Sequence, residues 1–202
     1  MSHRFQCRCG QLQGQVDQPG RGVRVVCYCK DCQTYAHLLG HPERVLDPLG
    51  GTDIVATESR YVRFTAGTQA LACLSLSPRG LLRWYAKCCD TPIAATPRNW
   101  KLPYAGMVHT CLSQPDSLAQ AFPQVQIRVN TQSAKDKPPG GAGVRGMARL
   151  TALMLRLIAS RLRGGYRVSP FFDAQGVPVA KVVVAPRASV EQARLAGRRK
   201  GF

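Results

Sequence analysis

Nine cysteines are the residues of this chain best equipped for chemistry, and seven of them are clustered. Cys7 and Cys9 lie in CRCGQ, Cys27, Cys29 and Cys32 in VVCYCKDCQTYAH, and Cys88 and Cys89 in RWYAKCCDTP, while Cys73 and Cys111 stand singly. Gaps of one and two residues suit thiolates converging on one ion better than disulfides linking distant loops. Zinc, a borderline-soft divalent ion, takes thiolates at about 2.3 Å in a tetrahedron, and a turn carrying C-x-C or C-x-x-C aims two sulfurs at one point.

Each short pair is therefore half a site. Cys7 and Cys9 form one half, with Gly10 free to take the positive φ that such a knuckle needs. Cys88 and Cys89, between a strand-like stretch and a Thr-Pro turn, are the obvious donors of the other. Cys27, Cys29 and Cys32 differ, because one loop supplies three thiolates and no fourth cysteine is close in sequence. Three protein ligands with an open position is the pattern of a catalytic or ligand-binding zinc; a fourth ligand from His37, His41, Cys73, Cys111 or His109 would close the site and make it structural.

The elements that position these groups are short strands. GVRVVCYC, SRYVRF, ALACLSLS and GLLRWYA are alternating or continuous apolar runs separated by turns such as GTQ and SPRG, which predicts a mainly β fold of small antiparallel sheets stapled by zinc-cysteine knuckles. Cys73 falls within one such run, as a packed thiol.

CRCG near the N-terminus, CYCKDC about 20 residues on and RWYAKCCDTP before residue 100 together resemble the glutathione-dependent formaldehyde-activating enzyme and centromere protein V family, in an uncharacterised bacterial branch. The resemblance covers roughly residues 5–112. It implies a tent-like β fold with two zinc sites. Cys7, Cys9 and Cys89 match ligands of a structural zinc, and Cys27, Cys29 and Cys32 match those of a substrate-associated zinc. The implied activity is that of a carbon-sulfur lyase, adding a thiol such as glutathione to formaldehyde or reversing that addition. One match fails: the remaining structural ligand of the family falls here on Ala86, which puts the first zinc site in doubt unless Cys88 replaces it. Glycine, usual in the family after the last ligand, is here Asp90.

Beyond residue 127 the character of the chain changes. Residues 130–146 are rich in Gly and Pro and read as a linker or loop within a 128–146 segment, after a zinc-binding β domain over 1–127. Over 147–202 a basic extension follows. Met147, Leu150, Leu153, Met154, Leu157, Ile158 and Leu162 recur at helical steps and predict an amphipathic helix over 147–163, with a short β-like segment after it and a frayed tail. Residues 128–202 carry 15 Lys and Arg against 3 acidic residues, so +12 of the formal net charge of +17 lies there. Such a field attracts anions and allows a second reading, in which both zinc sites are structural and the extension binds nucleic acid or another acidic partner.

Lys30 and Arg83 are candidates to receive substrate carboxylates, and Asp31 and His37 candidates for acid-base roles. The N-terminus lacks the apolar stretch of a signal peptide and no run of about 18 apolar residues occurs, so a cytoplasmic chain is expected, with thiols kept free for metal.

Overall fold

The apolar runs fold as strands. The computed structural model describes residues 2–113, 118–122, 124–140 and 143–198. Among these the strands are β1 (Ser2–Gln6), β2 (Gln13–Asp17), β3 (Val23–Cys27), β4 (Thr52–Glu58), β5 (Val62–Ala66), β6 (Leu71–Ser75), β7 (Leu82–Ala86), β8 (Thr91–Thr96), β9 (Tyr104–Val108), β10 (Ile127–Val129) and β11 (Val182–Val184). β1, β2 and β5 form a three-stranded antiparallel sheet, and the others an eight-stranded sheet ordered β10-β3-β4-β9-β8-β7-β6-β11.

The fold is mainly β, as the patterning predicts, and its larger sheet is mixed. Interior neighbours run antiparallel, whereas β10 runs parallel to β3 and β11 parallel to β6 at the two edges. Parallel pairing needs a long crossover rather than a hairpin, and residues distant in sequence supply it here.

Alternation along the strands gives the larger sheet two working faces. On one face Val55, Leu82, Trp84, Ile93 and Met107 meet Phe5, Leu12, Val16 and Val62 in the main core. Trp84 is fully buried and donates its indole N–H to Thr96 Oγ1 at 2.9 Å. Cys73 and Cys111 are buried in this same cluster. The opposite face carries Val25, Cys27, Ile54, Arg83 and Tyr104 toward the helices.

Those helices are α1 (Lys30–Leu38), α2 (Pro42–Val45), α3 (His109–Leu112), α4 (Leu118–Ala121), α5 (Val144–Leu162) and α6 (Arg187–Arg198). α5 is the helix expected over 147–163, and it packs Leu153 and Leu157 on Val23, Ala56 and Ile127. Its inward face is narrower than the sequence stripe. Gly146, Leu153, Leu157 and Ser160 are buried, whereas Met147, Met154, Ile158 and Leu162 are exposed. The helix start lies close against the chain, where a Cβ on Gly146 would collide with the Gln126 carbonyl oxygen, and the rest of the buried face is limited to what meets β3, β4 and β10.

The stretch expected to fray, RLAGRRKGF, is helical as far as Arg198, and residues 199–202 lie outside the described residues. α6 packs along α1, buries Val190 and Ala193, and joins it through an Arg194–Asp31 ion pair at 3.2 Å. Among the described residues no helix is long and apolar enough to cross a membrane.

Candidate metal centre

Two groups of cysteines converge, and they are built differently. In the first, Cys7, Cys9, Cys88 and Cys89 bring their sulfurs within 4.8 Å of one another. The Cys7–Cys9 knuckle closes as its spacing predicts: Gly10 takes φ 76° and donates its backbone N–H to Cys7 O at 2.9 Å. Backbone N–H of Leu12 also points at Cys7 Sγ, 3.3 Å away.

On the partner loop β7 ends at Ala86, and the next four residues turn, so the adjacent Cys88 and Cys89 escape the opposite-facing rule for neighbours on a strand. Asp90 completes the turn at φ 52°, a left-handed conformation that Gly takes freely and Asp tolerates. Ala86 itself is fully buried in the core, and the side chain that joins the cluster from this loop beside Cys89 is Cys88.

The sulfur separations suit a tetrahedral ion. Cys7 Sγ lies 3.5 Å from Cys9 Sγ and 3.8 Å from Cys88 Sγ, and Cys88 Sγ lies 3.3 Å from Cys9 Sγ and 3.8 Å from Cys89 Sγ. Thiolates at about 2.3 Å from a tetrahedral zinc stand about 3.8 Å apart. Although burial opposes its charge, the Thr91 hydroxyl at 3.1 Å and the Cys9 backbone help bring the Cys89 thiol down to about 6. Burial pushes Cys7 and Cys88 up.

The second group is Cys27, Cys29 and Cys32, with all three sulfurs within 4.8 Å. Cys27 ends β3, while Cys29 caps α1 and its sulfur accepts the Cys32 backbone N–H at 3.3 Å. Strand end, cap and first helical turn therefore converge, and the positive end of the α1 dipole faces the thiolates. Hydrogen bonds from Cys29 and Cys32 pull Cys27 down to about 2, and the same contacts raise Cys32 well above the usual thiol value.

Two neighbours complete the surroundings. Arg83, 4% exposed, brings Nη1 to 3.9 Å from Cys32 Sγ and lays its guanidinium 5.1 Å from the centre of the Tyr35 ring. Its charge is held despite burial by the adjacent Cys32. Asn130 Nδ2 donates to Cys27 Sγ at 3.5 Å. Asn130 belongs to the segment that the sequence marks only as linker-like, where nothing in its composition singles it out. Arg83 is placed by alternation on β7, opposite in direction to Trp84.

Among the described residues no further His, Cys, Asp or Glu joins this trio, so the candidates for closing it lie elsewhere. Cys73 and Cys111 are core thiols. His109 Nδ1 contacts the Asp53 carbonyl oxygen at 3.2 Å, and with His41 it lines a surface pocket beside Cys89. His37 faces Gly197 of α6. Asp31 lines the cavity described next, whereas Lys30 lines a basic groove with Arg194 and Arg198 on another part of the surface.

A cavity of about 370 Å3 opens at the trio, between the larger sheet and α1 and α5. Cys27, Cys29 and Cys32 lie on its wall together with Val25, Ile54, Tyr104, Leu150, Leu153 and Met154. Both groups offer soft thiolate sets that fit zinc: four donors in the first, three beside a cavity in the second. All nine cysteines are free, as a metal role requires.

Residues 2–183 match the model of a family described as a family of unknown function, DUF6151. No curated protein matches the sequence.

Proposed function

We propose that this chain, which belongs to the DUF6151 family of unknown function, is a two-zinc protein that makes or breaks the carbon-sulfur bond of a thiol-aldehyde adduct at the Cys27 site. One observation carries the reading: among the described residues the three-thiol group is short of a fourth donor, and it lies on the wall of a cavity able to admit a small molecule. The motif-by-motif resemblance to the formaldehyde-activating enzyme family supports the same chemistry and suggests formaldehyde as the aldehyde and glutathione as a thiol.

When bound there, zinc supplies an open coordination position and Lewis acidity toward a substrate sulfur or oxygen atom. The rest is the work of the chain. Cys27, Cys29 and Cys32 hold three sides of the site, and Arg83 offsets their negative charge from within the protein interior. Asn130 steadies Cys27 by a hydrogen bond, and the cavity walls set mainly apolar side chains around the reacting bond. In the lyase direction the adduct R–S–CH(OH)–R′ loses its hydroxyl proton, the C–O pair closes to the carbonyl, the C–S bond breaks and sulfur leaves with the bonding pair to be protonated as R–SH. Atoms and electrons balance without a redox partner. Asp31, a carboxylate on the cavity wall, is the group we assign to receive the hydroxyl proton.

The first Cys group completes its coordination with four donors and serves the fold. Exchange NMR on mixtures of formaldehyde and a thiol tests the reading, using zinc-loaded protein. The expected result is faster interconversion of adduct and free thiol, abolished in Cys29→Ala with loss of one zinc and retained in Cys88→Ala variants that still fold. No acceleration in protein carrying two zincs would reject the lyase reading.

A specific feature supports an alternative role as a zinc-stapled platform. α5 contains no acidic residue and exposes Arg145, Arg149 and Arg161, with Arg163 exposed just past its end. Binding of nucleic acid that weakens steeply with salt would favour that reading.

A further inference from the structure

We infer that the ligand of the Cys27 cavity is an apolar thiol or its adduct, carrying one hydrogen-bonding oxygen close to sulfur that meets the Thr52 hydroxyl, rather than a charged peptide thiol. This deepens the lyase reading, rests on it for the sulfur end alone, and departs from the glutathione that the family resemblance suggests. The cavity wall facing the ligand is aliphatic and aromatic: Val25, Ile54 and Tyr104 from the sheet, Leu150, Leu153 and Met154 from α5. Its volume of about 370 Å3 lies within the usual range for small-molecule sites.

Charge points the same way. A peptide thiol such as glutathione brings two carboxylates and an ammonium that must find partners on leaving water. Arg83 and Asp31 are the charged side chains on this wall among the described residues apart from the thiols, and both are engaged. Arg83 is buried against Cys32, and Asp31 pairs with Arg194 at 3.2 Å. Three thiolates, a divalent ion and one guanidinium sum to no net charge, so the site offers no field for an ionic ligand. The groove lined by Lys30, Arg194 and Arg198 would suit carboxylates, but none of the three cysteines lines it.

Thr52 supplies the polar contact. It is 4% exposed, it lines the cavity, and its Oγ1 has no hydrogen-bond partner among the described residues. β3 and β4 pair Thr52 directly with Cys27, which sets the two residues side by side on the cavity face of the sheet. Leaving such a group dry and unpaired is costly, and a ligand oxygen next to the sulfur satisfies it. A hemithioacetal hydroxyl, one carbon from sulfur, meets that description.

Calorimetry on the zinc-loaded full chain tests this with hexane-1-thiol, glutathione, hexan-1-ol and 1-sulfanylhexan-2-ol. Hexane-1-thiol is expected to bind at least about tenfold tighter than glutathione, since its methylenes gain from apolar burial while the charges of glutathione lose their water. Ala95→Phe, which fills the wall across from Arg83, should weaken hexane-1-thiol at least about tenfold with zinc content unchanged. Met154→Glu, at an exposed position on the rim, should act in the same direction without disturbing the core. Glutathione binding as tightly as hexane-1-thiol, or binding of hexane-1-thiol unaffected by both substitutions, would overturn the inference. Thr52→Val should erase an about threefold to tenfold preference for 1-sulfanylhexan-2-ol over hexane-1-thiol; its persistence would overturn the assignment of Thr52. Hexan-1-ol binding as tightly as hexane-1-thiol would uphold the apolar cavity and remove the sulfur-to-metal reading, so the two fail separately.

Discussion

The two cysteine groups use the same donor atom and differ in what surrounds it. Cys9 and Cys88 are exposed, and the four sulfurs of their group face one another across two turns. Cys27, Cys29 and Cys32 sit at the junction of a strand end and a helix start, beside a buried guanidinium and an apolar cavity. Four thiolates saturate a tetrahedral ion and leave it no work but cross-linking. Three leave a position open, and the surroundings then decide what can fill it. What separates the two groups is donor number and access, and on the proposed reading that difference divides a staple from a reaction centre.

That contrast can be broken most severely from the first group. Cys7→Ala should remove one of two bound zincs and lower stability by about 4 kcal/mol or more, because the metal ties the N-terminal knuckle to the turn after β7. Cys29→Ala should lose the other zinc at a much smaller cost in stability. Elemental analysis paired with denaturant unfolding checks both; an equal cost for the two variants would erase the distinction.

Acidity sharpens it next. In the metal-free trio Cys27 is pulled down to about 2, while Cys29 and Cys32 are raised above the ordinary thiol value. At neutral pH the three coupled thiols thus hold two protons between them. Metal uptake must expel two protons, so zinc affinity of this site should rise with pH, about a hundredfold per unit below the raised values. Competition titrations against a chelator at pH 6 to 8, on Cys88→Ala protein, measure the slope. A slope near three or near zero would contradict the charge distribution.

The smallest expected effect concerns the neighbours. Arg83→Met keeps much of the side-chain volume and removes the buried charge, and it should lower zinc affinity of the Cys27 site about tenfold to a hundredfold without changing the first site. The same titration reads it, and a loss shared by both sites would mean that Arg83 acts on the fold instead.

Much of the chemistry was legible locally. The C-x-C and C-x-x-C gaps announce sulfurs that converge as a metal site would need, because convergence within a turn depends on a few backbone angles, and the positive φ of Gly10 follows from the same geometry. Whether Cys88 could stand beside Cys89 was not legible, since it depends on β7 ending at Ala86 rather than running through the pair. The helical period over 147–163 predicted α5 correctly but not which part of its stripe is buried. Periodicity counts apolar residues on the helix, whereas burial depends on the partner surface, here the outer face of β3 and β4. The helix α6 was hidden in a basic tail because its stability comes from docking on α1 more than from its own residues.

By itself, then, the sequence determined the donor type, the pairing of donors within each turn, the β character of the strands that carry them and the basic charge of the last third. All of these follow from interactions between residues close in the chain. Only the tertiary structure decided that Cys7 and Cys9 meet Cys88 and Cys89, that no fourth Cys, His, Asp or Glu among the described residues meets the Cys27 trio, and that Thr52, Arg83, Asn130 and α5 surround it. These depend on strand order, with β4 setting Thr52 against Cys27 and β10 carrying Asn130 to the end of β3. No local spacing encodes that order, because it is set by which sheet edges and faces can be buried together over the whole chain.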